Sequence, residues 1–349
     1  MSVKSRIRSL FIQFLLLAAG ILLLYLAFKG QDPKKLLHEL GTADYRFVAC
    51  SLVALLGAHY FRALRWKMLI RPLGFNPASF DVFCAVMIGY LANLAVPRMG
   101  EVSRCAILNR TDKAPVDKLL GTVITERIAD VLMLLLLMVV TFVTQYSLIS
   151  GFFRDQVLTG FVARSQSSGP LVIKLIIAGS ILTGIVLFFY RRKKDIILDL
   201  APVKKVRVFI TGLFEGVKSI RYMQRSWVFI LYSCLIWALY AVSTALVFYA
   251  LPATSGLVLK TALFVLCAGS LGMVAPVQGG IGAYHFMVTQ ALFLLGIAKS
   301  DGLAYATINH SSQLILFLLA GGLCVFYILV LKPAMKLKAV SAETPGRTI

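Results

Sequence analysis

The sequence predicts an all-α fold: a polytopic transmembrane helical bundle of about six full spans plus two re-entrant broken segments, in a pattern compatible with an inverted repeat. Three observations predict it. Of 349 residues, 59% are hydrophobic and 15% charged, and the mean hydropathy is +0.84, too apolar for a water-facing surface. Apolar runs recur at the length of about 20 residues that a helix needs to cross a bilayer core. The net charge of +21 comes from basic residues lying between those runs. They read as loop charges facing anionic headgroups, and with no nucleic-acid module in the chain, nucleic acid is not an expected partner.

The first run, Leu10 to Phe28, follows Lys4, Arg6 and Arg8 as a signal peptide would, but it is longer than an h-region and reads as an uncleaved first helix. Full spans are expected over 9–28, 46–66, 129–149, 171–190, 227–250 and 303–331. Two further segments, 78–120 and 258–298, are interrupted, the first by Pro97 and the second by Pro276 with Gly279, Gly280 and Gly282. The whole of 1–335 reads as one integral membrane domain with halves at 1–150 and 171–331, followed by a flexible tail, 336–349. Six scattered cysteines show no metal or redox spacing, and no cofactor is expected.

If both broken segments enter and leave on one side, 27 of the 36 Lys and Arg residues fall in the cytoplasm, together with both termini. A full crossing at 78–96 would invert every later loop, including Arg191-Arg192-Lys193-Lys194. The re-entrant arrangement places the chain in the cell membrane with its two broken segments dipping from opposite faces. In secondary transporters, half-helix ends in such repeats line a site near the midplane. The basic loop 191–226 interleaves ten basic residues with apolar ones. It reads either as an amphipathic surface on anionic inner-leaflet lipids or as a plain positive-inside loop.

Polar clusters interrupt the apolar pattern at four places. After the first break come Arg98, Glu101 and Arg104, with Glu101 and Arg104 spaced for an ion pair and Arg98 left for a phosphate; the alternative is a membrane-edge turn with snorkelling arginines. Glu126, Arg127 and Asp130 follow. Glu126 and Asp130 share a helix face and repel unless a cation, a shared proton or an arginine lies between them, with Arg98 or Arg104 as the expected partner; alternatively, they are acids at a helix N-terminus. The turn Gln278-Gly279-Gly280 offers close backbone approach, and His285 a titratable donor or a polar plug. Asn309 and His310 sit in the last span, either completing a site beside His285 or bonding neighbouring helices. Arg62 and Arg65, ahead of Trp66, read as interfacial anchors.

Taken together, Asn93 with Pro97-Arg98-x-Gly100-Glu101-x-x-Arg104, Glu126-Arg127-x-x-Asp130 and Pro276 with Gly279-Gly280-x-Gly282 resemble the flippase-like transmembrane region of lysylphosphatidylglycerol synthases. Arg62-x-x-Arg65-Trp66 also fits. The resemblance covers nearly the whole chain and implies about eight hydrophobic segments that translocate polar or modified lipids. Many family members carry a glutamate soon after the glycine turn and an arginine late in the chain, where this sequence has His285 and Asn309-His310. No aminoacyl-transfer domain follows in this sequence, so lysine transfer is not expected. The function expected is that of a lipid flippase moving a polar, phosphate-containing membrane lipid, without ATPase or synthase activity. The alternatives are a membrane-embedded lipid-modifying enzyme, for which no H-x-x-x-x-D, D-x-D or D-D-x-x-D pattern is present, and an accessory subunit of a separate lipid synthase.

Overall fold

The computed structural model of the chain describes residues 18, 20–30, 32–146, 225–275 and 277–333. The chain divides into two compact units, residues 1–138 with 225–349 and residues 139–224. The expected span 171–190, nearly all of the basic loop 191–226 and Pro276 lie outside the described residues.

The described part of α1 covers 20–28. A short α2 (Pro33–Thr42) starts where the Asp32 carboxylate accepts from the Lys34 N–H at 2.9 Å. Asp44 caps α3 (Tyr45–Ile70) in the same way, accepting from Arg46 N–H at 3.0 Å. Then follow α4 (Ser79–Ala95), α5 (Met99–Asp112), α6 (Val116–Thr144), α7 (Ser226–Phe248), α8 (Leu259–Val274), α9 (Ala283–Leu294) and α10 (Lys299–Phe326). Among the described residues, four helical stretches are long and apolar enough to cross a membrane, Tyr45–Leu73, Val116–Thr144, Ser226–Phe248 and Lys299–Leu331; Ser79–Ala95 and Leu259–Val274 are shorter apolar helices.

Both interrupted segments fold as helical hairpins. In the first, α4 stops at Ala95 and α5 packs back along it. Gly100 sits so close to Gly89 that any Cβ there would collide with the Gly89 carbonyl oxygen and the Asn93 side chain. Asn93 Oδ1 accepts from the Gly100 N–H at 2.7 Å and fixes the turn. In the second, α8 and α9 pack together with Gly272 against Ala283 and Tyr284. That turn uses three left-handed glycines, and a Cβ on Gly282, at φ 85°, would meet the Gly20 carbonyl of α1.

The remaining helices hold the hairpins. α3 runs along α7, and α10 packs on α9 near its start and on α4 further along. Tyr305 of α10 shares a core with Val265, Val288 and Leu292, whereas Phe317, Cys324 and Ile328 share another with Cys84, Met87 and Ile88. Outward-facing apolar side chains such as Val53, Ile124 and Leu323, each more than 60% exposed, form the surface expected of a chain whose solvent is lipid.

Two boundaries differ from expectation. α3 continues to Ile70, so Arg62 and Arg65 lie inside the helix and not at its edge. α6 begins at Val116, thirteen residues before the expected span, so Glu126 lies nearly three turns into the helix and the N-terminal macrodipole does not account for it. Charged residues made these stretches look like loop, and pairing inside the bundle is what lets them be helix.

Candidate functional site

Glu126 is fully buried and sits between three arginines. Its Oε1 is 2.8 Å from Arg62 and 3.5 Å from Arg65, and its Oε2 is 2.7 Å from Arg104. Asp130, one turn later, accepts from Arg62 at 2.7 Å and from Arg65 at 2.6 Å. Arg65 also donates to Ser233 at 3.0 Å, and Arg104 stacks on the Trp66 ring at 4.5 Å, whose indole N–H donates to Thr122 at 2.8 Å. The cluster therefore ties α3, α5, α6 and α7 together. Inserting one such charge into a membrane costs on the order of 2.5–3.5 kcal/mol, and planar guanidinium forks offset it by bonding each carboxylate more than once.

Arg62 and Arg65 are thus corrected from interfacial anchors to buried members of this network, at 6% and 0% exposure. The cation expected between Glu126 and Asp130 is present as Arg62, with Arg104 on the other oxygen of Glu126. Glu101 does not pair with Arg104; it binds Arg127 at 2.8 Å, because Arg104 turns toward Trp66 and Glu126. Arg98 takes no part. It caps α5 in a left-handed conformation, φ 65°, is exposed, and has no ion-pair or hydrogen-bond partner among the described residues. The topology count loses the buried Arg62, Arg65 and Arg104 as loop charges but keeps its sign, at 24 of the remaining 33.

The second hairpin carries an uncharged cluster. Tyr284 OH accepts from Asn309 Nδ2 at 2.7 Å, and Asn309 Oδ1 accepts from Gln313 at 3.0 Å. His310 stacks on Tyr284 at 4.7 Å and lies 5.0 Å from His285. His310 Nε2 is 2.8 Å from the Gly279 carbonyl, which can only accept, so that nitrogen carries the proton. The Gly282 N–H donates to His285 Nδ1 at 3.4 Å. Asn309, His310 and His285 therefore do come together, holding the glycine turn from behind.

The two hairpin tips meet. Gln278 donates to the Ala95 carbonyl at 3.5 Å, and Leu94 lies beside Gly279. Between them and α3, α6, α7 and α10 is a cavity of roughly 480 Å³. Arg62, Arg98, Glu101, Arg127 and Asp130 line it, and so do the apolar Leu55, Val131, Leu134, Leu266 and Val274. Gly279 and Gly280 reach it from the second tip, and His59, Trp237 and Tyr240, which the sequence reading did not single out, also line it. Among the described residues, no group of three or more His, Cys, Asp or Glu side chains is placed to hold a metal ion.

Several apolar helices of membrane-crossing length, packed around a polar cavity, are the make-up of a multi-pass membrane protein. The chain matches the family described as lysylphosphatidylglycerol synthase TM region over residues 10–321, and it belongs to that family. It is similar to the UPF0104 membrane protein MJ1595 of Methanocaldococcus jannaschii, 26% identical over 141 residues, which are 40% of this chain and 41% of that one. It is also similar to the glycosyltransferase AglD of Haloferax volcanii, 27% identical over 121 residues, 33% of this chain and 19% of that one. In each case the matched stretch is less than half the length of the relative. No solved structure matches.

Proposed function

We propose that this chain is a lipid flippase, moving a polar, phosphate-containing lipid between the leaflets of the cell membrane through the cavity at the hairpin tips. The observation that carries this reading is the charge of the site. Five guanidinium groups, those of Arg62, Arg65, Arg98, Arg104 and Arg127, face three carboxylates, and Arg98 is free at the cavity wall. An excess of fixed positive charge at a cavity between apolar helices favours an anion. Arg98 is the headgroup ligand, and Arg127 with Glu101 sits beside it. Arg104, Glu126 and Asp130 are the frame. Gln278, Gly279 and Gly280 form the opposing tip, braced by His285, Asn309 and His310. The apolar wall takes the first part of the acyl tails.

The hairpin lengths support a re-entrant arrangement. At 1.5 Å per residue, the 17 residues of α4 and the 14 of α5 reach about 26 and 21 Å, and the 16 and 12 of α8 and α9 about 24 and 18 Å, all short of a core of about 30 Å. Both termini then face the cytoplasm, with 191–226 against anionic inner-leaflet lipids. Similarity to a stretch of a glycosyltransferase favours a second reading, in which the chain handles lipid for, or takes part in, a lipid-modifying reaction.

Reconstitution into liposomes with fluorescent lipids of differing headgroup tests the first reading. The wild-type chain should move at least one phosphate-bearing lipid faster than empty vesicles do, and Arg98→Gln should slow it about tenfold, the loss of one charge-assisted contact. If no headgroup crosses faster than in empty vesicles, the transport reading fails. New lipid products in mass spectra of the same vesicles would favour the second.

A further inference from the structure

The cavity has a second polar region that the phosphate does not explain. His59 of α3 and Trp237 of α7 line it, at 2% and 6% exposure. Neither ring nitrogen of His59, nor the Trp237 indole nitrogen, has a hydrogen-bond partner among the described residues. These nitrogens are themselves covered in this structure, so a guest meets them where the two side chains turn toward the cavity that their residues line; buried polar groups of this kind are nearly always partnered, and two of them beside one cavity point to something that it receives. Tyr90 and Tyr240 flank His59, with ring centroids 4.5 and 5.9 Å away, and Trp237 lies edge-on to Tyr240 at 5.9 Å. Ser243 and Thr244 continue the same wall.

The chemistry of this region is specific. A neutral imidazole offers one donor and one acceptor, an indole one donor, and tyrosine, serine and threonine hydroxyls both functions. A phosphate oxygen only accepts and is matched by guanidinium, leaving the imidazole acceptor unmet. A hydroxyl, which donates and accepts, meets all of these groups. An ammonium finds no free carboxylate there, because Glu101 and Asp130 are both held by arginines, and is left only the ring faces of Tyr90, Trp237 and Tyr240. Arg62 joins the two regions: one turn after His59, it donates from Nε toward Tyr240 OH at 3.4 Å while its terminal nitrogen binds the carboxylates.

Resting on the transport reading above, we infer that the headgroup is a phosphate-linked polyol, a glycerol or sugar phosphate, and not an aminoacylated one. His59, Trp237 and Tyr240 read its hydroxyls, and Arg98 binds its phosphate.

The test compares phosphatidylglycerol, phosphatidic acid and lysylphosphatidylglycerol in the same liposomes. Phosphatidic acid keeps the phosphate and lacks the polyol. Wild type should prefer phosphatidylglycerol to phosphatidic acid by about tenfold or more, as a site built to pair hydroxyls rejects an analogue without them. Trp237→Phe and His59→Phe, which keep a ring in place, should bring that ratio close to one, and Tyr240→Phe, which removes only a hydroxyl, should lower it. Arg98→Gln should slow both lipids and leave the ratio unchanged. Lysylphosphatidylglycerol should be the slowest of the three. A ratio that the three aromatic-site variants do not move, or fastest transfer of the lysyl lipid, overturns the polyol assignment while leaving transport intact. No acceleration of any lipid, phosphatidic acid included, overturns the transport reading instead. Uptake of radiolabelled glycerol phosphate into the vesicles, expected at the level of empty ones, would reassign the site to a soluble polyol phosphate if it rose.

Discussion

The two hairpins solve the same geometric problem with opposite chemistry. Each has two short helices packed closely through glycine around a turn at the cavity. The α4–α5 hairpin is held by charge: Arg104 binds Glu126 and stacks on Trp66, Glu101 binds Arg127, and the network runs into α3. The α8–α9 hairpin is held by neutral groups, with Tyr284, Asn309 and Gln313 in one chain of hydrogen bonds and His310 on the Gly279 carbonyl. An ionic frame resists loss of a single partner poorly, since the other is stranded as a buried charge. A neutral frame loses only one hydrogen bond at a time.

That contrast can be broken by substitution. Glu126→Gln should have the largest effect, stranding Arg104 while Arg62 keeps only Asp130, and costing about 3–5 kcal/mol, read as a large fall in thermal midpoint in detergent or as failure to accumulate. Recovery of stability in a double variant that also replaces Arg104 by Met would show that the stranded charge, and not the lost shape, was responsible. Gly282→Ala should cost about 1–3 kcal/mol from its positive φ alone, with the clash against α1 added. Tyr284→Phe, the matching change in the neutral frame, should cost only about 1 kcal/mol. Glu101→Gln breaks a pair whose arginine is half exposed, worth about 0.2–1 kcal/mol. If Tyr284→Phe proved as damaging as Glu126→Gln, the two hairpins would not differ in the way described.

The fold was legible wherever apolar length and helix breakers agreed, as at Pro97 and the glycine turn, because backbone geometry leaves few alternatives there. The candidate site was legible in part. Charge repulsion between the i,i+4 carboxylates Glu126 and Asp130 called for a cation, a shared proton or an arginine, and an arginine bridges them. Which arginine supplies it was not readable, since Arg62 is sixty-four residues away and local spacing carries no information about contacts between helices. Arg62 and Arg65 looked like anchors because a charge near the end of an apolar run is usually solvated. Seeing them as i,i+3 neighbours with Trp66 on the same side of the chain would have been a signal for burial. His59 and Trp237 were unreadable for a different reason: each is an ordinary residue for a membrane helix, and only its missing partner distinguishes it.

The meeting of the tips has a mechanical consequence. What joins Gln278 to Ala95 is one hydrogen bond at the long end of the range, whereas each hairpin is tied to a neighbouring helix by a shorter bond, Arg104 to Glu126 and Asn309 to Tyr284, both at 2.7 Å. A neutral hydrogen bond has a net worth of about 0.5–1.5 kcal/mol, close to the thermal energy scale. Among the described residues, the polar link across the seam is therefore weaker than those holding each hairpin to its neighbours, and a single glutamine side chain supplies it.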